Sequence, residues 1–321
     1  MHWNIFSRLH SDSFEAKVFE AYYFQIKNCE VYRKYAYLLG RENPKSIHEI
    51  PFLPIQFFKT HELLSKPKTG FETLFLSSGT GSIGRSKHFV SDISIYEQSF
   101  RRAYELQFGN PKNQVILALL PNYIEQGNSS LVYMVNDLIK LTENELSGFL
   151  LTDFEEIRQR YNSAMMTGKQ IVIFGVSYAL LDIVEQGFNM SKAIIIETGG
   201  MKGRREELSK AELHHRIKTG LGVDYVSSEY GMTELLSQAY SEKNGIFHTP
   251  PWMKVIFSDV YDPLSIVSGE STSIINVIDL ANINSCSFIQ TQDLGRKVDY
   301  GFVLEGRLDL SDIRGCNLMV D

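Results

Sequence analysis

"QIVIFGVSYALLDIVEQGFNMSKAIIIET", residues 170–198, carries the decisive pattern of the chain. "QIVIFGV" is a β-branched apolar run of strand length, "SYALLDIVEQG" has apolar residues at helical spacing and closes on a glycine, and "AIIIE" is a second buried-strand run. Two strands joined by a helical crossover lie parallel in one sheet. The alternation continues outward. "TLFL", "VILALL", "VDYVSSEYG" and "STSIINVIDL" read as strands, while "YEQSFRRAYELQF" and "SSLVYMVNDLIKL" read as helices. The expected fold is therefore α/β, with a mainly parallel sheet flanked by helices on both faces. Residues 1–45 form a helical N-terminal region, since 13–39 keep helical spacing without proline and Gly40 ends the pattern. "PFLPIQFFKTHELL" follows, with proline pushing the preceding residues to extended geometry, and is expected to drape over the core. Short strands and turns over 250–305 predict a small antiparallel β-rich subdomain, with no Ser/Gly-rich linker before it.

Composition narrows the function. The chain has 321 residues and is 43% hydrophobic, enough for a sizeable core. A net charge of −6 without a compensating basic block argues against a nucleic-acid partner. The longest apolar runs fall short of a transmembrane span, and the N-terminus lacks a basic segment followed by an apolar one, so a cytoplasmic protein is expected. Cys29, Cys286 and Cys316 are too far apart in sequence for a disulfide framework or a zinc motif and read as free thiols.

In such folds ligands bind beyond the carboxyl ends of strands, so the loops there are where chemistry is expected. "LFLSSGTGSIGRSKHFVSD", residues 74–92, follows a strand-like run. Its glycines let backbone N–H groups approach an anion, the hydroxyls of Ser77, Ser78, Thr80 and Ser82 donate to phosphate oxygens, and Arg85 or Lys87 supplies charge. A plain Gly/Ser surface loop is the alternative. So is a Walker loop, although Arg85 stands where that motif needs lysine. "SSEYGMTELLSQAY", residues 227–240, offers Tyr230 to a purine and puts a phosphate donor, Thr233, beside a Mg²⁺ ligand, Glu234. An ordinary turn into a capped helix is the competing reading. Asp293 in "IQTQDLGRK" suits two vicinal ribose hydroxyls, and "EGRLDLSDIRG" supplies Arg307 with Asp309. "FGVSYA" approaches a nucleophile elbow at Ser177, but Ala179 replaces the last glycine. His214 and His215 are adjacent and point apart on a helix, whereas His88 and His248 are expected in loops near the site.

The order of these segments resembles the adenylate-forming superfamily of acyl-CoA synthetases, luciferases and peptide-synthetase adenylation domains. "FLPIQFFKTHEL", "ETGGMKGRREELSKAEL", "PPWMKVIFSDVYDP" and "GRLDLSDIRGCNL" are most similar to its acyl-protein synthetases of the LuxE type, from about residue 45 onward, with phenylacetate–CoA ligases more distant. The resemblance implies that ATP and a carboxylic acid, of fatty type, give an acyl-adenylate whose acyl group passes to a thiol. It implies that Ser77, Ser78, Gly79, Thr80, Gly81 and Lys87 hold the β- and γ-phosphates. Gly199 and Gly200 would line the adenine pocket, and Tyr230 would stack on the base with Gly231 beside it. Thr233 would meet the α-phosphate, Glu234 would bind Mg²⁺, Asp293 would hold the ribose and Arg307 would neutralise phosphate. Residues 1–305 would be the adenylating domain and 306–321 a hinge and shortened C-terminal segment.

Two departures are visible. Ser82 and Arg85 replace commoner loop residues, and larger members continue into a lid domain with a catalytic lysine, for which Arg307, Arg314 or Lys87 would substitute. The family's acyl-accepting cysteine corresponds to Cys316, where the cation of Arg314 favours the thiolate; a small buried residue is the alternative. Coenzyme A, a carrier protein or an acyl-reductase are the other implied acceptors or partners. The competing class of function is a degenerate nucleotide- or acyl-binding module that scaffolds such a partner.

Overall fold

The computed structural model describes residues 5–6, 11–65, 70–78, 84–120, 128–150, 153–199 and 208–308. Gly79, Thr80, Gly81, Ser82, Gly200, Asp309, Arg314 and Cys316 lie outside them. The N-terminal region is helical as expected, in two pieces, α1 (Ser11–Asn28) and α2 (Glu30–Leu38), and the chain leaves α2 through Gly40 at φ 64°. The proline-punctuated segment places β1 (Leu53–Pro54) and α3 (Phe57–Thr60) on the body.

A ribbon of β2 (Thr73–Leu76) and β3 (Lys87–Val90) follows, then α4 (Ile93–Phe108), β4 (Gln114–Leu119), α5 (Ser130–Leu141), β5 (Gly148–Phe149) and α6 (Phe154–Met165). The opening stretch becomes β6 (Gln170–Val176), α7 (Ser177–Glu185) and β7 (Ala193–Thr198), with α8 (Lys210–Leu221) and β8 (Val226–Tyr230) behind them. Asp92, Ser129, Asp153 and Ser209 each accept a first-turn backbone N–H, which starts α4, α5, α6 and α8 where they begin. Antiparallel strands complete the chain: β9 (Ala239–Ser241), β10 (Ile246–His248), β11 (Met253–Ser258), β12 (Ile266–Val267), β13 (Ser273–Asp279), β14 (Phe288–Val298) and β15 (Gly301–Arg307).

Strands β4 to β8 pair in parallel, as the βαβ pattern requires; Ile171 to Val176 stand opposite Ala193 to Thr198. Two features differ from expectation. The antiparallel strands hydrogen-bond onto the parallel ones through β9, β10 and β15, so one 13-stranded mixed sheet runs through the molecule. Moreover, "TLFL" is outside that sheet. It pairs antiparallel with "KHFV" in a two-stranded ribbon, Leu76 opposite Lys87. The Ser/Thr/Gly loop therefore joins two antiparallel strands rather than a strand to a helix. A Walker loop needs the helix N-terminus for its phosphate, so that reading is excluded.

No helix among the described residues is long and apolar enough to cross a membrane. Cys29 and Cys286 are buried free thiols, each pushed up in pKa by burial, in keeping with structural roles.

Candidate active site

Beyond the carboxyl ends of β7 and β8 lies a cleft of about 440 Å³. Ser78 and Arg85 border it from the ribbon loop, Ser129, Ser130, Leu131 and Met134 from α5 and its entrance, Thr198 and Gly199 from the end of β7, and Glu229, Gly231, Met232, Thr233 and Gln238 from the end of β8 and its turn. Segments far apart in sequence thus converge where an α/β sheet places ligands.

The ribbon loop is closed at its base by its own polar groups. Ser77 N–H donates to the Ser86 carbonyl (3.1 Å), Ser86 N–H donates to Ser77 Oγ (2.9 Å), and Arg85 Nε donates to the Ser77 carbonyl. The Ser77 hydroxyl is consequently engaged in holding the loop. Lys87 is exposed on β3, outside the cleft walls.

The turn after β8 is irregular and leads into β9, not into a helix, so neither Thr233 nor Glu234 caps one. It is held instead by buried side chains from the end of β13 and the 3-10 segment (Leu280–Asn284) that follows it. Asp279 accepts from Leu236 N–H (3.0 Å), Ser237 N–H (2.9 Å) and Ser237 Oγ (2.5 Å), and Asn282 Nδ2 donates to the Glu234 carbonyl (2.7 Å). Burial pushes the Asp279 carboxyl up to about 6 against these bonds. His88, expected in a loop, is buried on β3 and bonds the Thr233 carbonyl through Nδ1 (2.8 Å) and the Ser285 hydroxyl through Nε2 (2.9 Å). Its position follows from the alternation of "KHFV", which turns His88 and Val90 inward. Sequence reasoning missed this role, and also that of Asp279, whose strand reads only as apolar. His248 ends β10 exposed.

Glu234 is buried, with the Ser86 hydroxyl on its carboxyl. Burial raises its pKa, while the Ser86 bond and the charges of Arg307 and Lys59 oppose the rise. Lys59, from α3, lies in the "FLPIQFFKTHEL" segment, to whose cation sequence reasoning assigns no role. A buried carboxylate facing positive charge is a suitable hard ligand for a divalent cation whose other ligands are phosphate oxygens and water. Among the described residues no cluster of three or more His, Cys, Asp or Glu side chains offers an all-protein cage.

Tyr230, Asp293 and Arg307 form a separate chain. Tyr230 Oη donates to Asp293 Oδ2 (3.0 Å), and Asp293 stands opposite Arg307 across β14 and β15, with Oδ1 3.7 Å from Nε. The Tyr230 ring is 5% exposed and packs edge-on against Phe247 and Phe302. None of the three belongs to the walls of the cleft, whereas Ser78, Gly199, Gly231 and Thr233 do.

Ser177 is buried at the start of α7 and donates to Glu197 Oε1 (2.5 Å), so it is no exposed nucleophile. Glu197 also accepts from Ser228 Oγ (2.9 Å) and pairs with Lys210 (2.6 Å). Burial would raise its pKa, but His214, Lys210 and Ser177 outweigh it and hold the carboxyl near 2. This network pins the end of β7 that delivers Thr198 and Gly199.

Comparison with known proteins follows the same lines. Residues 7–319 match the family described as acyl-protein synthetase, LuxE. No curated protein matches by sequence. Among solved structures, 2-hydroxyisobutyryl-CoA ligase, in an open conformation with 2-HIB-AMP and CoA, superposes with TM-score 0.70 at 10% identity, covering 93% of this chain and 70% of its own. O-succinylbenzoate coenzyme A synthetase (MenE) from Bacillus subtilis, with ATP and magnesium ion, gives TM-score 0.52 at 17% identity, covering 73% of this chain and 50% of its own. These likenesses concern the fold.

Proposed function

The chain belongs to the acyl-protein synthetase (LuxE) family of adenylate-forming ligases, and on that premise we propose that it activates a carboxylic acid with ATP and passes the acyl group to a thiol. A carboxylate oxygen of the acid attacks the α-phosphorus, the bond to the β-phosphate bridging oxygen breaks, and pyrophosphate leaves with the electron pair. The acid enters ionised, so no general base is required. A thiolate then attacks the acyl carbonyl and AMP departs.

The observation that carries this reading is the convergence of the Ser/Thr/Gly loop and the Tyr-Gly-x-Thr-Glu turn on one cleft, which Ser78 and Arg85 border from the first and Gly231, Met232 and Thr233 from the second. Glu234 is not itself a wall residue. Attacking carboxylate and phosphate are both anionic, so fixed positive charge lowers the barrier. Arg85 would contribute it at the cleft wall, and Arg307 and Lys59 add positive charge that acts on Glu234. Glu234 would hold Mg²⁺, which when bound neutralises phosphate charge. Thr233, whose carbonyl is held by His88, would donate its hydroxyl to the α-phosphate. Tyr230 would carry the base, Asp293 the ribose, and the chain's own Cys316 or a partner thiol would accept the acyl group.

Acid-dependent ATP–pyrophosphate exchange tests the proposal. Glu234→Gln should lower exchange by about a hundredfold or more while ATP still binds by calorimetry, because the lost interaction is strongest in the transition state. Exchange independent of acid, or ADP as the main product, would overturn it. Cys316→Ser should abolish hydroxylamine-sensitive acyl label on the protein without stopping exchange; persistence of label would move the acceptor elsewhere.

A further inference from the structure

Among the described residues Glu229 is the only carboxyl in the wall of the cleft, and the adenylation step gives it no task. It is half-buried at the penultimate position of β8. Thr198 Oγ1 donates to its Oε2 (2.5 Å) and fixes the carboxyl, while Oε1 has no hydrogen-bond partner among the described residues. Oε1 lies against the turn that follows: a Cβ added to Gly231 would stand 2.0 Å from it, and Gly231 is two residues before Thr233. One oxygen is held, and the other sits beside the segment assigned above to the α-phosphate.

We propose that Glu229 is the general base of the second half-reaction, taking the proton of the attacking thiol at Oε1. The inference rests on the adenylation reading above and adds a residue to its second step. In an acyl-adenylate the acyl carbon is joined to the α-phosphorus through a single bridging oxygen, so a base for its nucleophile belongs in the same wall as Thr233. Nucleotide contacts around Glu229 are what this step requires. The S–H proton passes to Oε1, the sulfur electron pair forms the bond to the acyl carbon, the bond from that carbon to the bridging oxygen breaks, and AMP leaves with the electron pair. Glu229 then gives its proton to water. An ordinary thiol, with a pKa of about 8.5, is mostly protonated at neutral pH, and a base poised near neutrality accelerates its attack. Burial pushes the Glu229 carboxyl up to about 7, with Thr198 lowering it, Glu197 raising it and Lys210 lowering it. Glu197, on the neighbouring strand, stays ionised near 2, so of this pair only Glu229 exchanges a proton around neutral pH. Arg85 is the cation on the cleft wall. The hydroxyls of Tyr96 from α4 and Tyr240 from β9, raised by burial and then by Glu229 itself, stay neutral beside it.

The test measures single-turnover acyl transfer beside pyrophosphate exchange. The enzyme is loaded with ATP and radiolabelled octanoate or tetradecanoate, and thioester is followed on the protein itself and on added coenzyme A or dithiothreitol. In wild type the transfer rate should rise with pH through about 7 and then level off, because only the ionised carboxylate takes the proton. Glu229→Gln should lower transfer by about a hundredfold, and by about tenfold or more beyond any fall in exchange. Its residual rate should climb with pH toward the thiol's own ionisation near about 8.5, and thiophenol, a more acidic thiol, should recover most of the loss. If Glu229→Gln fails to fold, Thr198→Val reads out the same role: loss of the bond that lowers the carboxyl's pKa should move the midpoint of the pH profile upward, and an unmoved midpoint overturns the inference. Equal falls in transfer and exchange, or transfer left intact by Glu229→Gln, overturn it and leave adenylation standing. So does exchange without thioester on any of these thiols. Absence of acid-dependent exchange in wild type removes both.

Discussion

His88 shows how one side chain supports the site without meeting substrate. Its Nδ1 faces the Thr233 carbonyl, which only accepts, so the ring donates there and receives the Ser285 hydroxyl at Nε2: a neutral tautomer. Burial pushes its pKa from 6.5 down to about 4, opposed by the bond to Thr233. The unfolded chain therefore takes up this proton below about pH 6.5 and the folded chain only near pH 4, so the ring's contribution to stability is complete above 6.5 and lost between those values. The linked loss is about 3 kcal/mol. Glu229 and Asp279, raised to about 7 and 6, pull the other way in the same window, since the folded chain holds their protons longer. Comparing wild type with His88→Asn isolates the histidine. Urea unfolding at pH 7 and pH 5 should show the variant losing less stability on acidification, and equal losses would refute the linkage.

At the scale of elements, the β14–β15 hairpin decides where Asp293 and Arg307 meet. Asp293 pairs with Arg307 and Leu294 with Gly306, but Gly295 pairs with Leu304, so the register slips by one residue at a β-bulge. The slip requires Gly295: a Cβ there would stand 2.4 Å from the Val303 carbonyl oxygen, which is backbone and cannot swing away. Gly295→Ala should lower stability by about 1–3 kcal/mol and weaken ATP binding through displaced Asp293, to be followed by thermal melting and calorimetry. An unchanged melting temperature with unchanged ATP affinity would show that the bulge tolerates the methyl group. The ribbon of β2 and β3 makes the complementary point, because its antiparallel pairing turns a phosphate-loop-like sequence into a hairpin loop tied at Ser77 and Ser86.

Across the whole molecule, the two ends of the described chain are locked together. Gln25 on α1 donates to the carbonyls of Asn282 and Ile283 (3.1 Å each) and to Ser287 Oγ (3.2 Å), and accepts from Ser287 N–H (3.0 Å). Tyr22 and Tyr32 pack on Phe288 beside it. The same 3-10 segment and its exit supply Asn282 to Glu234 and Ser285 to His88, so the N-terminal helix buttresses the turn at the cleft. Gln25→Leu strands buried carbonyls and an N–H, and should cost about 3 kcal/mol in urea unfolding and reduce exchange activity with it. Full activity at unchanged stability would show that α1 is only a cover.

The sequence by itself determined the elements and the family: a period of two or 3.6, β-branching and caps are local, and the order of Gly, Thr, Glu, Asp and Arg motifs is linear. It located Thr233, Glu234, Asp293 and Arg307 as candidates, and the structure brings Glu234 to the ribbon loop through Ser86. Tertiary structure alone decided that the antiparallel strands extend the parallel sheet, because strand partners are chosen by burial and edge pairing across long separations. It alone put His88 and Asp279 against the turn, and Glu229 and Gln238 among the walls of the cleft. Whether a polar side chain caps a helix, fills a core or awaits a ligand depends on which atoms surround it. Only the folded chain supplies them.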